Sequence, residues 1–256
     1  MIISDGAIQL LDSFLAGCDS VMARAAELPP KDEVDRRVKY RYYFYLEKGT
    51  STFRAFNMLI RNGYLSEAQL ISRANFELVV DLLYYHTSPV QLSERFEDFW
   101  HVASEWELAA LTARGDTTQI PASEGARIKA SQLDFCRKHG HKKFPRHWSG
   151  IDKLIDRARV VGLEHTYRTV YHLQSDIAHC GVFSEACYIR FAERAPADAM
   201  KALNQREAHI AIGAACGDML YCLRTIEAGL GLSIYEVIRD LHDQYAEYSR
   251  QQMRES

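Results

Sequence analysis

The chain is poor in the features that usually divide or decorate a protein. Six prolines are spread over 256 residues, and no Pro/Gly/Ser-rich stretch forms a linker, so one continuous domain spanning 1–256 is expected rather than two tethered ones. Six cysteines are present (Cys18, Cys136, Cys180, Cys187, Cys216 and Cys222), without a CxxC pair or zinc-ribbon spacing. Buried, reduced thiols are therefore expected, and neither a metal nor a cofactor motif is found. No uncharged apolar run approaches the ~20 residues of a membrane span, and the start Met-Ile-Ile-Ser-Asp lacks the basic residues of a secretory signal. A soluble, cytoplasmic chain is expected. The net charge of −3 supplies no global attraction to nucleic acid or anionic lipid, so either would need a local basic patch.

What is present is helical periodicity. Residues 5–27 carry Ile8, Leu11, Leu15, Cys18 and Met22 at spacings of three or four, and Pro29-Pro30 ends the run. A second helix is expected over 32–61, with an interruption near Gly49-Thr-Ser-Thr where propensity weakens. Asn62-Gly63 stops it, and Ser66 with Glu67 starts a third, from 66 to 85, that is apolar nearly all round and so belongs at the centre. Its one polar stripe is read as Arg73 and Glu77.

Ser88-Pro89 opens a fourth helix, with Phe96, Phe99, Trp100, Ala103, Trp106 and Ala110 as a buried seam. A loop at 115–121 precedes a helix over 123–139; residues 140–148 cannot be regular helix, and Ser149 caps a short helix closed by Gly162. Helices follow from 164 to 181, over 183–194 and over 199–228, the last with a run of small residues around Gly213 that invites close helix approach; Ser233 caps a final helix reaching about 250. The expected fold is all-α, a single bundle of about eight to ten helices, with no segment of alternating period for a sheet.

The segment Tyr167 to His179 is the most unusual chemically. At about 100° per residue, Arg168, His172, Ser175 and His179 share one stripe, with Thr166, Val170, Leu173 and Ile177 opposite. A solvated face would carry Lys and Glu instead. On the third helix, Arg73 then Glu77 is the less favourable i, i+4 order for an isolated pair, and so apolar a helix would bury both. The two stripes are expected to meet, with Tyr171 beside them. Such a carboxylate–imidazole–hydroxyl–guanidinium cluster suits three roles: general acid/base work, a grip on a small anionic ligand or an RNA phosphate, or a structural network fixing helix register.

Two other stretches draw attention. His139-Gly-His-Lys-Lys-Phe-Pro-Arg-His147 reads as a solvated basic loop, with anion contact or ligation by His139 and His141 as the functional alternative. The run from Arg36-Arg37 to Tyr45 alternates Tyr with Arg and Lys, which suits stacking on a single strand, although packing in a core or dimer seam explains it better. The pairs Arg95…His101 and Arg159…His165 fit the spacing of HEPN-type ribonucleases, a pattern short enough to arise by chance in this composition.

Arg73-Ala-Asn-Phe-Glu77 on an apolar helix, Trp148 before a short amphipathic helix, and Tyr167…Tyr171…Ser175…His179 ending at Gly181 together resemble a bacterial all-helical family, a domain of unknown function loosely comparable to HEPN-like bundles. The resemblance covers about residues 55 to 225, with helices 5–61 and 233–250 packed on that core. It implies clustering of the Arg, Glu, Ser and His positions and brings no reaction with it. Two functions are carried forward. One is a ligand-binding or interaction module in stress or defence, a homodimer through small residues or exposed aromatics. The other is a phosphoryl-transfer enzyme acting on RNA or a nucleotide, with His179 as acid/base, Glu77 orienting it and Arg73 or Arg168 on phosphate.

Overall fold

Ser4 starts the first helix by accepting the Ala7 N–H on its hydroxyl, and Asp32 starts the second by accepting that of Asp35 at 2.8 Å. In the computed structural model, which describes residues 3–112, 122–171 and 197–255, these helices are α1 (Asp5–Ala26) and α2 (Glu33–Arg61). They are followed by α3 (Leu65–His86), α4 (Pro89–Thr112), α5 (Ala122–His139), α6 (Leu154–Val160) and the short α7 (Glu164–Thr166). A π-helical turn, Tyr167–Tyr171, continues from α7; α8 (Ala197–Leu230) and α9 (Tyr235–Glu255) complete an all-α bundle with no strand among the described residues.

The body is built from α1, α2, α3, α8 and α9, which pack on one another, while the α4–α5 pair leans on α2 and α3 and α6 lies on α3. One continuous core joins them, from Leu11, Phe14 and Phe53 through Val79 and Leu82 to Ile212 and Leu223. Burying side chains of this size contributes roughly 1.5–3 kcal/mol each. α3 is central, as its all-round apolarity implies. It touches α2, α8, α4 and α6.

Several local expectations give way to tertiary packing. α2 runs unbroken through Gly49-Thr-Ser-Thr, where Gly49 and Thr50 are buried and a Cβ at Gly49 would make ordinary contact, 3.5 Å, with Cys222 Sγ of α8 and Leu78 Cδ2 of α3. Ser66 does not cap α3, whose N-cap is Tyr64 without a side-chain bond, and Ser149 does not cap α6, whose N-cap is Lys153. On α4, Trp100 and Trp106 are exposed, and Leu92, Ser93, Val102 and Ala109 are buried. A Cβ at Gly213 would meet nothing within 4 Å; the tight approach on α8 is at Gly229, which lies against the Tyr42 ring. The 183–194 segment lies outside the described residues, as do Cys180 and Cys187. Cys18, Cys136, Cys216 and Cys222 are free and buried, and burial pushes the Cys18 thiol up to about 12.

Candidate functional site

Arg73, Glu77, Asp81 and Tyr84 stand at i, i+4, i+8 and i+11 on α3, so they form one polar line along a helix that is otherwise packed. The stripe is longer than the Arg73–Glu77 pair read from the sequence. Its two ends hold different segments.

At the N-terminal end, Tyr171 donates its hydroxyl to Glu77 Oε1 at 2.6 Å. The Arg73 guanidinium lies 5.0 Å from the centre of the Tyr171 ring, and its Nε is 3.4 Å from the same Glu77 oxygen, a charge contact too long for a good hydrogen bond. Tyr171 is buried, with Phe76 and Tyr167 against its ring at 5.5 and 4.8 Å. Burial first, and the Glu77 carboxylate second, push its hydroxyl up to about 12, so at neutral pH it is a donor. Arg73 and Glu77 are not enclosed as expected: their side chains are 23% and 43% exposed. The apolar face of α3 turns elsewhere, and this pair sits at its edge.

The structure thus brings Arg73, Glu77 and Tyr171 together. Arg168 does not join them. It donates to Glu164 at 2.7 Å, on a carboxylate that also takes Arg159 Nε at 2.9 Å, and these two guanidinium groups hold the exposed Glu164 down to about 2. Arg168 lies 63% exposed beside Glu164, four residues earlier in the chain, and so points away from the Glu77 edge. His172, Ser175 and His179 lie outside the described residues.

At the other end, Asp81 is 18% exposed and contacts two residues that the sequence did not single out as partners. Its Oδ1 is 2.8 Å from Arg157 Nε, an ion pair in which the N–H is not aimed at the oxygen, and Arg157 Nη1 donates to Ile151 O at 2.7 Å. Its Oδ2 is 3.1 Å from His147 Nε2, and His147 Nδ1 is 2.8 Å from Ser149 Oγ. The Ser149 N–H donates to that Nδ1, which places the ring proton on Nε2, facing Asp81. Tyr84 and Arg95 both donate to the Ser149 carbonyl, at 3.3 and 3.0 Å.

An Asp–His–Ser chain suggests an activated nucleophile, but the surroundings rule that out here. Ser149 is 1% exposed, and its hydroxyl also accepts the Ile151 N–H at 3.1 Å, so no substrate atom can reach it. Gly150 follows with φ +79, and His141 stands where a side chain there would have to go. The segment read as a solvated basic loop is therefore clamped to the bundle. His139 is likewise committed, 2.7 Å from Asp98, rather than available as a ligand. Burial raises the Asp98 carboxyl, but the bonds from Lys138 and His139 outweigh it and hold the group below its usual range. Among the described residues no group of three or more His, Cys, Asp or Glu is placed to hold a metal.

Asp81 is the next i+4 position after Glu77. Nothing local marked Arg157, whose partner Asp81 lies more than sixty residues away in sequence, and Ser149 was read as a helix cap rather than as a partner of His147.

Among the described residues the molecule is an all-α bundle, with a polar edge on its central helix packed against the π turn. The chain belongs to the Family of unknown function (DUF5677), whose model matches residues 43–193. The matched span begins inside α2, earlier than the expected 55, and stops short of α8. No curated protein and no solved structure matches the chain.

Proposed function

We propose that the chain is a single-domain, cytoplasmic helical module that binds a small anion or an RNA phosphate where α3 meets the π turn. Arg73, Glu77 and Tyr171 form one wall, and the residues that follow, His172, Ser175 and His179, belong to the same site. The observation that carries this reading is the 2.6 Å Tyr171–Glu77 bond beside the Arg73 guanidinium, at an edge that solvent reaches. The π turn supports it, since such turns are rare and are frequently found at functional sites. Binding is favoured over acid/base chemistry because Tyr171 holds its proton at neutral pH and Glu77 already accepts it. Oligomerisation through α8 goes with the same reading. Ile210 and Tyr221 are exposed on the stripe that carries the uncrowded Gly213.

The test is a thermal-shift series on the full chain with inorganic phosphate, AMP and a short single-stranded RNA. A ligand at a hundred times its dissociation constant contributes about 2.7 kcal/mol to the folded state. A rise in melting temperature that disappears in Arg73→Met, with the helical circular dichroism retained, is the expected result. No rise with any of the three, or one that Arg73→Met leaves intact, sinks the proposal.

A further inference from the structure

The basic and aromatic run of α2 remains without a role at the α3 site, and it lines a cleft elsewhere. Where α1 turns into α2, Ala25 to Pro30 face Arg36, Lys39, Tyr40 and Tyr43, with Leu230 of α8 beside them, around a volume of about 410 Å³. That volume falls within the ~300–1,000 Å³ typical of small-molecule sites. None of Arg73, Glu77 and Tyr171 lines it. The run divides by helical periodicity: Tyr42 and Tyr45 turn into the core, while Tyr40 and Tyr43 face the cleft.

The polar groups are few and held in place. Lys39 Nζ donates to Pro29 O at 2.7 Å and pairs with Asp35 at 3.0 Å. An ammonium has three donors, so one remains without an acceptor among the described residues, on a side chain only 19% exposed. The Arg36 guanidinium lies 5.4 Å from the Tyr40 ring centre and is fixed by Glu33, which accepts from its Nε at 2.7 Å. Tyr40 is thereby braced as one wall, while remaining 62% exposed to whatever enters. Opposite it, Leu28 and the two prolines present a rigid apolar surface. Glu27 also lines the cleft, and Asp35 shares Lys39. A dianion would meet both carboxylates, whereas a monoanion needs only the spare Lys39 donor.

We propose that this cleft binds a small aromatic carboxylate, its ring packed between Tyr40, Tyr43 and the Leu28–Pro30 wall and its carboxylate on Lys39. This site is separate from the anion site at α3 and does not depend on it. The probe is 2-naphthoate, titrated calorimetrically into the full chain, with the neutral 2-naphthalenemethanol as comparison. One naphthoate is expected to bind per chain, about tenfold tighter than the alcohol, as a charge-assisted contact requires. Lys39→Met removes that advantage and leaves the alcohol's affinity within about twofold, since the ring contacts remain. Ala26→Trp, an exposed change that fills the mouth, abolishes binding of both compounds. No naphthoate binding up to millimolar concentration overturns the proposal; so does binding that survives Ala26→Trp, or a carboxylate advantage that survives Lys39→Met.

Discussion

Glu77 and Asp81 are carboxylates one turn apart on the same face of α3, yet the first is 43% exposed with one short hydrogen bond, and the second is 18% exposed between two cationic or cation-capable partners. Around Asp81, the groups that gather are a nearly enclosed arginine, a neutral histidine, a buried serine and a backbone carbonyl with two donors. Every one of them has a partner inside the protein. Around Glu77, solvent reaches the carboxylate and the adjacent guanidinium. The histidine-rich stretch is thus a clamp, while the Arg–Glu pair holds an edge that solvent reaches.

The comparison breaks most readily at Arg157. Replacing it with Met leaves Asp81 largely covered and short of its positive partner, which costs about 3 kcal/mol for a buried pair opened on one side. For a chain of this size that lowers the melting temperature by roughly 6–12 °C, measurable by circular dichroism. A loss under about 2 °C would mean that the clamp is incidental. Ser149→Ala is the next smaller change. It removes the acceptor for the Ile151 N–H and the partner of His147 Nδ1, for about 1–2 kcal/mol, read from a urea midpoint.

At the other end of the stripe, Tyr171→Phe is expected to cost roughly 1 kcal/mol or less, since its acceptor stays in contact with water. Its signature is in pH. An unfolded tyrosine ionises near 10, whereas the folded Tyr171 holds its proton to about 12. Between those values the unfolded chain binds fewer protons than the folded one. The contribution of Tyr171 to stability is therefore intact below about pH 10 and lost as pH rises toward 12. Urea midpoints taken across that window should fall less steeply in Tyr171→Phe than in the parent chain; parallel slopes would remove Tyr171 from its buried setting.

Much of the fold was legible because helix ends carry local signals. Ser4 and Asp32 cap as their residue types suggest, and Gly162, with φ +77, closes α6. Where tertiary contacts overrule propensity, the same signals mislead. Gly49 stays helical in a segment packed between α3 and α8, and Ser149 serves a loop clamp instead of a helix. Of the expected cluster, Arg73, Glu77 and Tyr171, which stand out by residue type and spacing, do meet. Arg168 pairs instead with Glu164, four residues earlier, a local contact that the expected stripe left out. Asp81 continues the same i+4 spacing, but its role as a clamp depends on His147 and Arg157, which come from segments whose approach depends on the whole bundle.

The most direct measurement is a paired thermal melt of two near-isosteric variants on one helix, Asp81→Asn and Glu77→Gln. An amide at position 81 leaves the nearly buried Arg157 without its counter-charge, so the melting temperature should fall by at least about 6 °C. An amide at position 77 still accepts from Tyr171 at a solvated edge, so the change should stay under about 2 °C. Equal losses, or a larger one for Glu77→Gln, would contradict the division of α3 into a clamped end and a solvated end.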